Sequence, residues 1–183
     1  RKPQANGPDV ITIHGVIEAG DYWKFIEITR NIKQASVILN SRGGSIGQAI
    51  HIGRLIRDRN YETRVRDGAV CDSACSFIWL AGTSRHLDRR ARLGFHSASK
   101  PNASKPSAAK PNQRERNERG NAIAAAYMAS LGVPQQVIEL QPKADPCCLN
   151  YIDYAQAKAW GLLIDRSAKQ QALPTPETQL PAA

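Results

Sequence analysis

Residues 37–53 read V-I-L-N-S-R-G-G-S-I-G-Q-A-I-H-I-G, and two changes of rhythm within them decide the fold. Residues 36–40 form a short apolar run, the pattern of a buried strand. From Ile46 onward, Ile46, Ala49, Ile50, Gly53 and Ile56 recur at helical spacing. Between the two, Ser41-Arg42-Gly43-Gly44-Ser45 carries the chain from strand to helix. Adjacent glycines let the backbone turn sharply. N–H groups at the start of a helix can hold developing negative charge on a bound oxygen. A Gly-Gly pair on its own is simply a flexible turn.

The same alternation continues on both sides. Upstream, residues 10–17 read as a strand, and Asp21 suits the N-cap of a helix through Trp23, Phe25, Ile26 and Ile28. Downstream, residues 63–65 are a strand, 68–71 approach a turn, 73–82 form a buried helix rich in small residues, and 91–96 form another strand. Helices are expected over 114–131, stopped by Gly132, over 134–140, and over 154–160, with a last strand at 162–164. Strand and helix in turn make the class α/β. At 183 residues the chain suits one compact domain, here 1–166. Residues 97–112, S-A-S-K-P-N-A-S-K-P-S-A-A-K-P-N, have no apolar face to bury and are expected to be a mobile insertion. Residues 167–183 read as a polar, Pro-rich tail.

Composition excludes several functions. The formal charge is +9, but the arginines are scattered and no aromatic residues alternate with them to stack bases. The expectation is a basic surface that attracts acidic partners, with no specific nucleic-acid binding. No apolar run is long enough to cross a bilayer, so no transmembrane segment is expected. The P-loop pattern is absent. The chain opens on Arg1 and its one methionine is Met128, so a leader or longer N-terminal region is expected to have been removed. The four cysteines, Cys71, Cys75, Cys147 and Cys148, suit disulfides in an oxidising compartment or buried thiols equally well. Their C-x-x-x-C and C-C spacings differ from the paired C-x-x-C of zinc sites, and neither metal nor cofactor is expected.

Two further features carry chemistry. Cys71-Asp72-Ser73-Ala74-Cys75 sits at an expected turn into a helix. A serine exposed there could act as a nucleophile, with the Ala74 N–H beside it; the plainer reading is a helix N-cap. Gly94-Phe95-His96 ends a short strand, where a neutral histidine could accept and return a proton; the plainer reading is a structural histidine. His14, His51 and His86 compete with it in less suggestive contexts.

In this order the motifs resemble the ClpP family of serine proteases. Residues 37–53 resemble its strand, S-P-G-G turn and helix, with Arg42 where proline is usual. Residues 71–82, C-D-S-A-C-S-F-I-W-L-A-G, resemble its nucleophile segment, and 91–97, A-R-L-G-F-H-S, its histidine strand. Residues 151–165, Y-I-D-Y-A-Q-A-K-A-W-G-L-L-I-D, resemble its closing S-A-x-E-A-x-x-Y-G-L-I-D element.

The resemblance implies a ClpP/crotonase-type fold, a superhelical core of repeated β-β-α units with flanking helices. It makes Ser73 the nucleophile, His96 the general base, and Gly43 or Gly44 with Ala74 the oxyanion-hole donors. The family's aspartate position falls at Leu149, so the resemblance leaves three options for the third member. Asn150 could orient the imidazole, Asp145 or Asp153 could reach it, or the site could be a Ser-His dyad. The implied activity is a peptidase acting through an acyl-enzyme on a peptide or protein substrate. The alternatives are a crotonase-like acyl-thioester enzyme and a catalytically degenerate peptide-binding scaffold. By family analogy the chain is a homo-oligomer, and the cysteine-flanked serine is most like secreted or periplasmic members. On that analogy a disulfide from Cys71 or Cys75 to Cys147 or Cys148 would tie the closing segment to the nucleophile turn; Cys71–Cys75 is the competing pairing.

Overall fold

A computed structural model describes residues 7–100 and 115–165. Most of the expected insertion and the whole expected tail lie outside the described residues. The chain runs β1 (Asp9–Ile17), α1 (Asp21–Thr29), β2 (Ala35–Gly44), α2 (Ile46–Asp58), β3 (Glu62–Val65), β4 (Val70–Asp72) and α3 (Ala74–Ala81). It continues through β5 (Arg85–Leu87), β6 (Arg92–Phe95), α4 (Glu118–Ser130), α5 (Gln135–Lys143), β7 (Asn150–Asp153) and α6 (Tyr154–Ala159).

The seven strands form one sheet in the order β5-β3-β2-β4-β6-β7, with β1 also on β2. Every pairing is parallel except β6 with β7. The long β2 organises it. Residues 36–39 pair with β3, whereas Ser41 pairs with Cys71 of β4. One strand therefore hands the sheet from β3 to β4, and the sheet curls about it. The apolar run of β2 is buried from Ala35 to Leu39, as its composition requires. Ser45 caps α2 by accepting the Gln48 N–H at 3.4 Å. All eight residues of α3 are buried, so this helix runs through the core among Leu39, Ile52, Ile56 and Phe95. Each such large apolar side chain contributes about 1.5–3 kcal/mol by leaving water.

The differences from the sequence reading lie in short elements. Asp21 is the first residue of α1, with Gly20 at the cap position. Within the expected turn at 68–71, Gly68 does turn but Val70 and Cys71 belong to the three-residue β4; β5 and β7 were not expected, and 162–164 reduces to a bridge between Ile164 and Arg85. Strands of three or four residues are too short to show a period and are set by their partners in the sheet. Residues 97–100, the described part of that expected insertion, pair with the fold. Ser97 and Ala98 are buried, Ser99 bridges to Arg116, and the Lys100 N–H donates to the Glu115 carbonyl at 3.0 Å. Backbone pairing orders these four residues whatever their composition. Among the described residues no helix is long and apolar enough to cross a membrane.

Candidate active site

β4 ends at Asp72 and α3 begins at Ala74, so Ser73 alone makes the corner. It does so at φ 56°, ψ −123°, a region that β-carbon sterics make costly for any residue but glycine. The corner is held from several directions. The Ser73 N–H donates to the Gly94 carbonyl at 2.7 Å, and the Ser73 carbonyl accepts from the Ser76 N–H at 3.0 Å. The Ser76 hydroxyl donates to the Cys71 carbonyl at 2.8 Å. On the other side Gly43 presses against the turn. A β-carbon there would stand 2.7 Å from the Asp72 carbonyl oxygen, 2.8 Å from Ser73 Cβ and 2.9 Å from the Ala74 nitrogen. With φ 92° as well, only glycine fits.

His96 follows β6 directly. Its Nδ1 lies 2.6 Å from the Ser97 carbonyl oxygen. A carbonyl can only accept, so Nδ1 carries the hydrogen, and in its neutral form the ring has its lone pair at Nε2. The backbone around it is anchored by helices the sequence reading did not connect to the site. Gln141 of α5 donates to the His96 carbonyl at 2.8 Å, and Asn121 of α4 accepts the Ala98 N–H at 2.7 Å. The Ser97 N–H donates to the Ala144 carbonyl at 2.9 Å. Asn121 and Gln141 are themselves buried.

Ser73, His96, Gly43, Gly44 and Arg42 line one cleft of about 590 Å³. The Ala74 N–H is the first of α3 and has no acceptor within the helix. The Gly43 N–H donates to Ser41 Oγ at 3.0 Å, and that hydroxyl in turn donates to the Gly15 carbonyl at 2.6 Å.

The candidates for the third position each have partners of their own. Asn150 pairs with Phe95 in the β6–β7 register and donates to the Leu140 carbonyl at 3.4 Å. Opposed residues share a sheet face, so Asn150 lies on the Phe95 face. Asp145 binds Arg116 at 2.7 Å, and Asp153 caps α6 by accepting the Gln156 N–H at 2.8 Å.

The carboxylate that does lie beside the site, Asp72, was not singled out from the sequence. It is 7% exposed, and its Oδ1 has no hydrogen-bond partner among the described residues. Burial pushes its pKa up; the charges of Arg92, Arg42 and His96 pull the other way without cancelling this. No sequence signal marked it, because its place follows from the β4–β6 register with Gly94.

The expected cross-link from the nucleophile turn to Cys147 or Cys148 does not form. Cys71 and Cys75 bond to each other, with Cα atoms 5.1 Å apart, while Cys147 and Cys148 are free and exposed. The reason is the sheet order: β6 stands between β4 and β7. The bond instead clamps the strand and helix on either side of Ser73. A loop this short stabilises by about 2 kcal/mol on the chain-entropy model. Full reduction under mildly denaturing conditions followed by refolding is therefore expected to lower the thermal midpoint by about 4–8 °C. Calorimetry with and without reductant checks this, and an unchanged midpoint would contradict it.

No family model matches the sequence, and no curated protein matches it. Solved structures do match. The membrane-bound stomatin-specific protease 1510-N, as a mutant, aligns with a TM-score of 0.66 at 19% identity, over 84% of this chain and 76% of that one. A second mutant of the same protease, in complex with a substrate peptide, gives 0.63 at 18% identity, over 84% and 72%. The ClpP protease catalytic domain from Plasmodium falciparum gives 0.60 at 16% identity, over 91% and 88%. The chain has the ClpP-like fold.

Proposed function

We propose that this chain is a serine peptidase that cleaves peptide bonds through an acyl-enzyme on Ser73. The observation that carries the reading is the conformation of Ser73: a non-glycine residue held at φ 56° between a strand and a helix, opening on the same cleft as His96. Such strain at a strand-to-helix corner is retained where it aims a side chain at a substrate. That proteases of this fold align with the chain, one of them holding a substrate peptide, supports it.

The residues then act in sequence. His96 Nε2 takes the Ser73 proton as Oγ attacks the scissile carbonyl, and returns it to the leaving amine. The Ser97 carbonyl fixes the imidazole tautomer by holding Nδ1–H. The oxyanion forms against the Ala74 N–H and the Gly43-Gly44 turn. There it competes with Ser41 Oγ for the Gly43 N–H, and a charged acceptor wins over a hydroxyl. Water then releases the acyl group with His96 again as base. We assign the protein to an oxidising compartment, periplasmic or extracellular, because the disulfide around Ser73 persists there.

A fluorophosphonate probe tests the reading. Stoichiometric labelling of the folded protein, mapped to Ser73 and lost in Ser73→Ala, is the expected result. A well-folded sample that takes no label would leave the binding-scaffold alternative.

A further inference from the structure

The resemblance puts the family's carboxylate at position 149, and here that residue is leucine. The sheet nevertheless supplies a carboxylate from another strand. In the parallel β4–β6 register Asp72 pairs with Gly94. A β-carbon on Gly94 would meet Asp72 Oδ1 at 2.4 Å and Leu149 Cδ2 at 3.0 Å. Asp72 and Leu149 therefore converge over Gly94 from opposite sides of β6. His96 lies two residues on from Gly94, just past the end of β6, and is among the charges that act on Asp72. The opposite face carries the fully buried Cys71, Leu93, Phe95 and Ile152. Gly94 has no side chain to fill the space, and Asp72 occupies it.

We propose that Asp72 is the positioning carboxylate of His96, supplied from β4 in place of one from β7. The inference rests on reading Ser73 and His96 as nucleophile and base. Asp72 takes no proton. Ser73 Oγ–H passes its proton to His96 Nε2, Nδ1–H stays on the Ser97 carbonyl, and the imidazolium so formed lies near the Asp72 negative charge. The proton then leaves on the amine, and Asp72 ends as it began.

The competing role is structural, as a partner for Arg92. The charged and titratable groups around Asp72 are Arg92 from β6, His96 just after it, Arg42 from β2, and Tyr151 and Asp153 from β7. Arg92 places its guanidinium 4.0 Å from the centre of the Tyr151 ring, and no ion pair joins it to Asp72 among the described residues. The stability sign separates the two roles. A carboxyl whose folded pKa is raised contributes stability below the ordinary carboxylate range and loses it as pH rises through the folded value. Ionising a buried Asp72 is thus a cost to the fold, and a neutral replacement relieves it.

The test is Asp72→Asn, with Asp72→Ser as a smaller neutral variant should the amide not be accommodated. Nitrogen-edited NMR titration of the His96 ring in the folded protein is expected to give a midpoint lower by about one pH unit. The acid limb of kcat/KM moves with it, kcat/KM falls at least about tenfold, and the thermal midpoint at pH 8 does not drop. Adding Leu149→Asp, which returns a carboxylate from the β7 side, is expected to restore the midpoint and most of the activity. An unchanged His96 midpoint and acid limb overturn the proposal, and a lost thermal midpoint with the limb unmoved assigns Asp72 to Arg92. The NMR titration needs no turnover. Absent fluorophosphonate labelling would therefore sink the peptidase reading while leaving the Asp72–His96 coupling to be judged separately.

Discussion

His96→Gln is expected to lower kcat/KM for peptide hydrolysis by at least about a thousandfold, with the thermal midpoint nearly unchanged. The size follows from what the ring does. Without a base, Ser73 must lose its proton to water, and nothing near the oxyanion replaces that step. The small stability effect follows from how the segment is held. The bonds that fix it run through backbone: the His96 carbonyl to Gln141, the Ser97 N–H to the Ala144 carbonyl, and the Ala98 N–H to Asn121. None depends on the imidazole. Steady-state kinetics beside a thermal melt separates the two quantities. A loss under tenfold would mean that His96 is not the base.

Gly43→Ala is expected to destabilise the fold by about 2–4 kcal/mol. Two terms add. An alanine at φ 92° pays a backbone cost of about 1–2 kcal/mol. Its methyl would also lie under 3.0 Å from Asp72 O, Ser73 Cβ and Ala74 N, which are backbone or backbone-fixed atoms of the elbow and cannot swing aside. Gly68 supplies the comparison. It has φ 79°, yet a β-carbon there meets nothing within 4 Å. Gly68→Ala should therefore show the backbone cost alone. Urea unfolding of both variants isolates the clash as their difference, and fluorophosphonate labelling of the Gly43 variant should slow by more than tenfold. Equal costs at the two positions would show that the close approach to Ser73 is unimportant.

The parts of this site that could be read from sequence are those where residue type itself does the chemistry. Gly43-Gly44, Ser73 and His96 stand at boundaries between periodic segments, and the structure brings them to one cleft. What could not be read depends on register or on backbone. The Ser97 carbonyl that fixes the imidazole would be there with any side chain at 97. Asn121 and Gln141 look like ordinary polar positions on two helices until α4 and α5 fold back over residues 96–98. Asp72 becomes meaningful only once β4 is aligned with Gly94. The cysteines misled for a similar reason. Proximity to the site along the resemblance suggested a link to Cys147 or Cys148, but the intervening β6 keeps the two pairs apart.

The anchoring of residues 96–98 by α4 and α5 also fixes when, during synthesis, the chain becomes competent. Ser73 and its clamp are complete by residue 75, and the sheet neighbour Gly94 follows soon after. The groups that hold the histidine segment arrive last, at Asn121, Gln141 and Ala144. A nascent or translocating chain that has emerged only as far as residue 100 therefore carries both reacting side chains without the scaffold that aligns them. On the proposed function, peptidase activity is expected only once the C-terminal half has folded down.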